Sequence, residues 1–175
     1  DITERKRENE TLQQAEQPFA NILNLSPNMI SITSQRTGKI MTANAATSEL
    51  TGYTEDEYLG KTTLELRWWG NPSDREKTIS ILKEAGEVRN YEMKMRIRNG
   101  ELLTCLFNAR PLFYNNEQCL LFVVIDITER KKAEELLRIN QDRLRKAQEI
   151  GHLGYSEHII GANDVWISAE GKRLY

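Results

Sequence analysis

The chain has 175 residues and a net charge of −2, and it is 39% hydrophobic and 29% charged. This length provides one domain of ordinary size with additional segments, and the balanced charge argues against the basic surface that nucleic-acid binding needs. The longest apolar run, Cys119 to Ile125, is strand-sized, so no membrane-spanning helix of ~20 residues is expected. The charged N-terminus is no signal peptide and two cysteines make no disulfide framework, so we expect a cytoplasmic fragment that itself makes no membrane contact.

An internal repeat sets the expected domain boundaries. The hexapeptide Asp1–Lys6 recurs as Asp126–Lys131, a whole domain further along the chain, which exceeds the ~20–50-residue period of a solenoid. The chain also lacks an initiator methionine, so we expect a fragment of a tandem array. The expected segments are a linker helix from a preceding unit over residues 1–16, a complete domain over 17–128, a coiled-coil-like signalling helix over 129–147 and the truncated start of a following unit over 148–175.

The first half of the domain alternates short elements with turn residues. A helix over residues 16–25 is expected to end at Ser26-Pro27, since the residue before proline disfavours helix. The elements expected next are a strand over Met29–Thr33, a turn at Arg36–Lys39, a return strand to Ala43, two short helices capped by Asn44 and Thr54 and closed by Gly52 and Gly60, and a longer helix from Pro72 to Ala85 that stops at Gly86.

A three-strand meander follows. Apolar and charged residues alternate from Tyr91 to Arg98, which predicts a strand with one wet face. The next strand carries the apolar row Leu103 to Ala109, and a three-residue loop over Asn99–Glu101 would align the two rows by placing Met95 opposite Cys105.

The last strand of the meander, Cys119–Ile127, is entered through the turn Asn115-Asn116. It is apolar on both faces and should lie centrally in the sheet, with a helix or partner over its outer face. The order of elements predicts an α+β domain with one antiparallel sheet and helices on one face.

Several short segments, in this order along residues 17–131, resemble the PAS family and its PAC motif. They are Ser26-Pro27, Thr37-Gly38-Lys39-Ile40, Asn44-Ala45-Ala46, Leu50-Thr51-Gly52-Tyr53, Leu59-Gly60-Lys61, Arg110-Pro111 and Asp126-Ile127-Thr128-Glu129-Arg130. The resemblance implies a five-stranded antiparallel sheet with a helical clasp and flanking linker helices. It also implies a sensory, non-enzymatic module of a tandem-PAS signalling protein such as a sensor histidine kinase. A ligand-free dimerisation and relay module of a diguanylate cyclase or another output protein is the alternative.

By the same resemblance, Asp126 and Thr128 couple the sheet to the output helix; the alternative is that they only cap and terminate a strand. The helix carries a heptad seam at Ala133, Leu137, Asn140, Leu144 and Ala147. This spacing fits a coiled coil of a homodimer, or an amphipathic helix that folds onto its own domain. The expected partners are neighbouring PAS units and the output domain.

No cofactor is predicted. Haem-binding members of the family use an axial histidine, and residues 1–151 contain none. The Asn-Cys-Arg sequence of flavin-adduct photosensors is absent, which leaves a small organic ligand or a non-covalent flavin open, with Trp68-Trp69 as a candidate for ring stacking. The candidate pocket comprises Asn44, Tyr53, Met93, Met95, Cys105, Phe107 and Val124. A filled core is the favoured alternative, because nothing polar converges on this face. No phosphate loop or metal-ligand cluster appears.

Overall fold

The computed structural model describes residues 23–151, 156–158, 165–167 and 172. Residues 23–25 are helical, and the rest of the helix expected over 16–25 lies outside the described residues, as does the linker helix expected over 1–16. The chain divides into two compact units, residues 1–128 and residues 129–175.

The first unit contains a five-stranded antiparallel sheet in the order β2-β1-β5-β4-β3. The strands are β1 (Met29–Ser34), β2 (Ile40–Ala43), β3 (Val88–Arg96), β4 (Leu102–Tyr114) and β5 (Glu117–Asp126). The α+β prediction is confirmed, and β5 occupies the central position that its two apolar faces indicated.

Three helices connect β2 to β3, and a fourth follows β5. They are α1 (Ala45–Thr51), α2 (Glu55–Tyr58), α3 (Pro72–Ala85) and α4 (Thr128–Gly151). The bounds of α3 follow from its end residues: the Asn71 side chain accepts a hydrogen bond from the Ser73 N–H, and Gly86 ends the helix at φ 76°. In the second unit, β6 (Ser156–His158) pairs antiparallel with β7 (Val165–Ile167). That residues 148–175 begin a further PAS unit stays a prediction.

The β3–β4 register differs from the expected one by two residues. Met95 pairs with Leu103, and Met93 pairs with Cys105, so the prediction of Met95 opposite Cys105 is wrong. The loop has three residues as expected, but it begins one residue earlier, at Arg98, and ends at Gly100 with φ 90°. Only glycine takes this backbone conformation without strain, and that fixes it as the last loop residue. The apolar rows still align, because a shift of two residues keeps every side chain on its face.

The β4–β5 register is the one that the sequence predicts. Asn115 and Asn116 both have positive φ, 46° and 62°, as a two-residue turn matching the strand twist requires. Leu112 therefore pairs with Cys119, and Cys105 pairs with Asp126.

The core lies between the inner face of the sheet and the helical segment. Its buried members include Met29, Phe122 and Val124 from the central strands, together with Tyr58 and Trp68 from the connection. Burying each large apolar side chain contributes about 1.5–3 kcal/mol before entropy is counted.

Candidate functional site

The predicted pocket residues do not all border one space. Met93, Met95, Cys105 and Val124 are at most 6% exposed and belong to the packed core. Phe107 is half-buried and lines the cleft that is described below.

Asn44 links two segments of the backbone by side-chain hydrogen bonds. It is 1% exposed and occupies the position before α1, but its side chain does not cap the helix, so the predicted capping role is wrong. Its Oδ1 accepts from the Ile30 N–H at 2.9 Å, and its Nδ2 donates to the carbonyls of Asn28 at 2.8 Å and Leu23 at 3.0 Å. The amide thus ties the chain entering β1 to the start of α1, which satisfies backbone groups that would otherwise be buried unpaired.

Tyr53 is half-buried beside the core. Its ring lies 6.5 Å from that of Trp68, and its hydroxyl donates to the Leu66 carbonyl at 3.5 Å. The Arg98 guanidinium sits 5.7 Å from the Tyr53 ring centre, within range of a cation–π contact.

A cleft of about 490 Å³ opens between α3 and the inner face of the sheet. This volume falls within the range of small-molecule sites. The lining residues are Thr33, Ser34, Gln35, Gly38, Thr63, Trp69, Arg75, Thr78, Ile79, Leu82, Lys83, Val88, Phe107, Ala109, Pro111, Leu120 and Phe122. Aromatic and aliphatic groups form its wall, hydroxyl groups are interspersed, and the charged groups stand on α3.

The aromatic wall is built from Trp69, Phe107 and Phe122. The Trp69 and Phe107 ring centres are 5.4 Å apart, and those of Phe107 and Phe122 are 5.8 Å apart. The Trp69 Nε1–H donates to Thr63 Oγ1 at 3.0 Å, which fixes the orientation of the indole. Tilted rings at these separations attract each other beyond simple area burial.

The segment that carries Trp69 is held against edge strand β3. The Gly70 N–H donates to the Lys94 carbonyl at 2.8 Å, and the Arg96 N–H donates to the Trp68 carbonyl at 2.8 Å. A Cβ atom at Gly70 would lie 2.7 Å from the Lys94 carbonyl oxygen. Glycine is therefore required for this close approach.

Two buried polar atoms of the described residues have no hydrogen-bond partner, Ser31 Oγ and Trp68 Nε1. Ser31 pairs in register with Phe122, which lines the cleft. Buried donors are almost always satisfied in folded proteins, which makes these two atoms exceptions. Each can still form a hydrogen bond in the interior.

Both cysteines are buried free thiols. Burial, followed by the nearby Asp126 carboxylate, raises the pKa of the Cys105 thiol to about 12. Burial likewise raises the pKa of Cys119. Thiols in this state carry little of the thiolate that nucleophilic or adduct chemistry requires.

The junction between β5 and α4 is a compact hydrogen-bonded clamp. Asp126 Oδ1 accepts from the Thr128 N–H at 2.8 Å and from the Thr128 hydroxyl at 2.6 Å. Thr128 Oγ1 accepts from the Thr104 N–H at 2.9 Å, and the Ile127 N–H donates to the Thr104 carbonyl at 2.9 Å. The Lys94 ammonium donates to Thr104 Oγ1 at 2.6 Å, which joins β3 to the same cluster. The structure thus brings the two predicted coupling residues, Asp126 and Thr128, into one cluster around Thr104.

Helix α4 has an exposed apolar row. All five residues of the predicted seam are exposed, and Leu137 and Leu144 are 59% and 61% accessible. Ion pairs between residues three or four apart, such as Arg138 with Glu135 at 2.7 Å, link charged residues along the same helix.

The sequence did not reveal the contribution of α3 to the cleft. Arg75, Thr78 and Leu82 are spaced three and four residues apart, which marks one helix face, but only the orientation of α3 shows that this face borders a cleft.

Among the described residues, no helix is long and apolar enough to cross a membrane, and no group of three or more His, Cys, Asp or Glu side chains could hold a metal ion.

Fold and site together define an α+β domain in which a five-stranded antiparallel sheet borders a cleft. The family model of the PAS fold matches residues 17–127, and the chain belongs to this family. The crystal structure of a PAS domain from Colwellia psychrerythraea has a similar fold, with a TM-score of 0.55 and 21% identity over 66% of this chain and 98% of that one.

Two curated relatives are signalling enzymes. The chain is 27% identical over 144 residues to a probable diguanylate cyclase of Escherichia coli K12, with 79% of this chain and 12% of that protein covered. It is 26% identical over 173 residues to a blue-light-activated histidine kinase of Brucella anthropi, with 90% of this chain and 35% of that protein covered. The chain therefore spans a minor part of the length of these relatives.

Proposed function

We propose that the chain is the input module of a larger signalling protein, in which the cleft receives a small molecule and the clamp at Thr128 passes its effect to α4. The observation that carries the proposal is the position of β5. This strand supplies Leu120 and Phe122 to the cleft and ends at Asp126, and only Ile127 separates it from the start of α4. The receiving and transmitting groups thus lie on one continuous stretch of chain.

A second route supports the same coupling. Trp69 forms part of the cleft wall, and its neighbour Gly70 is bonded to the Lys94 carbonyl. The Lys94 side chain bonds to Thr104, which holds Thr128. A ligand that displaces the Trp69 indole would therefore shift β3 and alter the hydrogen bond between Lys94 and Thr104 in the clamp.

The parent protein is proposed to be a sensor histidine kinase or a diguanylate cyclase, since both classes occur among the curated relatives. A cytoplasmic setting and contacts with neighbouring PAS units and an output domain belong to this proposal. The ligand is a small organic molecule or a non-covalently bound flavin. A flavin would be recognised by the visible absorption of the purified chain, and native mass spectrometry would report either ligand and the assembly state.

A second function, relay through dimerisation, is favoured by the exposed row on α4. Leu136, Leu137 and Leu144 are 59–61% accessible, and a second copy paired along α4 would cover the seam leucines among them. In this alternative, two copies pair through α4 and the module passes on signals from neighbouring domains without a ligand of its own.

The test is Asp126→Ala in the full parent protein, with Asp56→Ala on exposed α2 as the charge-matched control. If the clamp biases a two-state helix, removing Asp126 changes basal kinase or cyclase output by about fivefold or more, a typical allosteric coupling. The control leaves output unchanged. Unaltered output from Asp126→Ala with an intact fold would refute the coupling role of the clamp.

A further inference from the structure

The charge of the cleft is one-sided. Its lining includes Arg75 and Lys83 and no aspartate or glutamate. Neither cation has an ion-pair partner among the described residues. Arg75 is half-buried, whereas Lys83 is exposed and lies two turns further along α3, ~12 Å away at the helical rise. Arg75 is therefore the cation best placed to meet a group inside the cleft.

Acids near the cleft are engaged elsewhere. Asp74 accepts from the Tyr91 hydroxyl at 3.1 Å, and Glu87 pairs with Arg89 and Arg110. The hydroxyl of Ser34, a lining residue, donates to the Glu117 carboxylate at 3.4 Å. Both residues lie on the sheet and not on α3. Positive potential is thus concentrated on the helical side of the cleft.

The apolar wall and the unpaired cation impose two requirements on an occupant. Covering Arg75 with a neutral molecule would remove water from a charge without replacing it, which is costly. A small, wholly polar anion would leave the rings of Trp69, Phe107 and Phe122 without apolar contact. An occupant with an apolar body and one acidic group satisfies both requirements.

We propose that the cleft selects an amphipathic anion, an aromatic or aliphatic body with a single carboxylate, sulfonate or phosphate group that pairs with Arg75. This inference rests on the proposed ligand-binding function and specifies the chemistry of its ligand. Guanidinium binds such groups through two parallel hydrogen bonds, which gives orientation as well as affinity. Lys83 adds to the attractive field.

Two fluorescent probes that differ by one sulfonate group test the inference. 1-Anilinonaphthalene-8-sulfonate and the uncharged N-phenyl-1-naphthylamine are titrated against the full chain. The sulfonate is expected to bind more tightly than the neutral probe. Arg75→Gln is expected to weaken binding of the sulfonate at least about tenfold, because both charge-assisted hydrogen bonds of the guanidinium are lost, and to leave binding of the neutral probe within about twofold. Lys77→Gln, the same charge change on α3 outside the cleft, is expected to alter neither affinity.

Blocking variants locate the bound probe. Ala109→Leu and, should that variant unfold on thermal melting, Ile79→Trp are expected to weaken binding of both probes strongly, because each places a larger side chain in the cleft. Binding of the neutral probe that is blocked in this way, without any preference for the sulfonate, would overturn the charge inference and leave the cleft as a ligand site. Probe binding that no blocking variant affects, or no binding at all, would overturn the proposed ligand function itself. Equal effects of Arg75→Gln and Lys77→Gln would overturn the role of Arg75.

Discussion

Replacing Thr128 by valine should remove two hydrogen bonds at the end of β5 with little change of side-chain volume. The hydroxyl of Thr128 accepts from the Thr104 N–H at 2.9 Å and donates to Asp126 Oδ1 at 2.6 Å. Valine keeps the branched shape and removes both bonds. Thr104 is only 7% exposed, so its N–H would be left without water or a protein partner.

The expected cost follows from the burial of that donor. Leaving a buried N–H unsatisfied costs about 1–3 kcal/mol, whereas the bond to exposed Asp126 competes with water and adds less. We therefore expect Thr128→Val to lower the free energy of unfolding by about 1–3 kcal/mol. The neighbouring bond from the Ile127 N–H to the Thr104 carbonyl remains, so the sheet should keep its register.

Urea denaturation of the full chain measures this loss, and amide hydrogen exchange locates it. The Thr104 amide should exchange faster in the variant, while amides at the β1–β5 pairing should change only by the global loss of stability. Thr42→Val on edge strand β2 is the matched control, since no hydrogen bond of the Thr42 hydroxyl is found among the described residues. Unchanged protection of the Thr104 amide, or an equal loss in the control, would refute the reasoning.

Three further predictions concern other parts of the chain. The folded Cys105 thiol keeps its proton to a pKa of about 12, against 9.0 without burial. The contribution of the protonated Cys105 thiol to the free energy of unfolding is therefore fully present below pH 9. Above pH 9 it falls by about 1.4 kcal/mol per pH unit, because the thiol ionises in the unfolded chain first. Urea titrations at pH 8 and 10 should show this loss in the wild type and less of it in Cys105→Ala. Gly70→Ala should cost about 1–3 kcal/mol of stability, because its Cβ meets the Lys94 carbonyl. An unchanged urea midpoint would contradict the close approach of the Trp69 segment to β3. Leu144→Asp should weaken self-association in sedimentation experiments, whereas Gln141→Asp should not, and equal behaviour would remove the helix-pairing alternative.

Local rules predicted most of the elements because the deciding residues lie within them. The bounds of α3 follow from Pro72 and Gly86, and the β4–β5 register follows from two asparagines that tolerate positive φ. The prediction of the β3–β4 register was wrong because it placed Glu101 at the end of the three-residue loop, a position that favours glycine. The φ of 90° at Gly100 shows that the loop ends there.

The cleft and the role of Asn44 depend on contacts between distant segments. Asparagine before a short helix favours a cap, yet the amide of Asn44 binds backbone groups at Leu23, Asn28 and Ile30. An alternating apolar strand such as β3 likewise reads equally well as a core wall or a pocket wall. Which of the two it becomes depends on how far from the sheet α3 packs. The periodicity of a single segment does not encode the separation between a helix and a sheet.

The pairing of β5 limits how a ligand signal can leave the sheet. Sliding the strand by one residue would break both ladders and turn Phe122 to the outer face, which exceeds the ~1–3 kcal/mol that ligand coupling usually supplies. The two ladders end at different points, however. Pairing with β1 stops at Val124, whereas pairing with β4 continues to Asp126. Within the described part of the chain, strand pairing thus holds the last two residues of β5 on one side only, by the strand that also holds Thr128, so a small tilt at this end can reach α4 while the ladders stay intact.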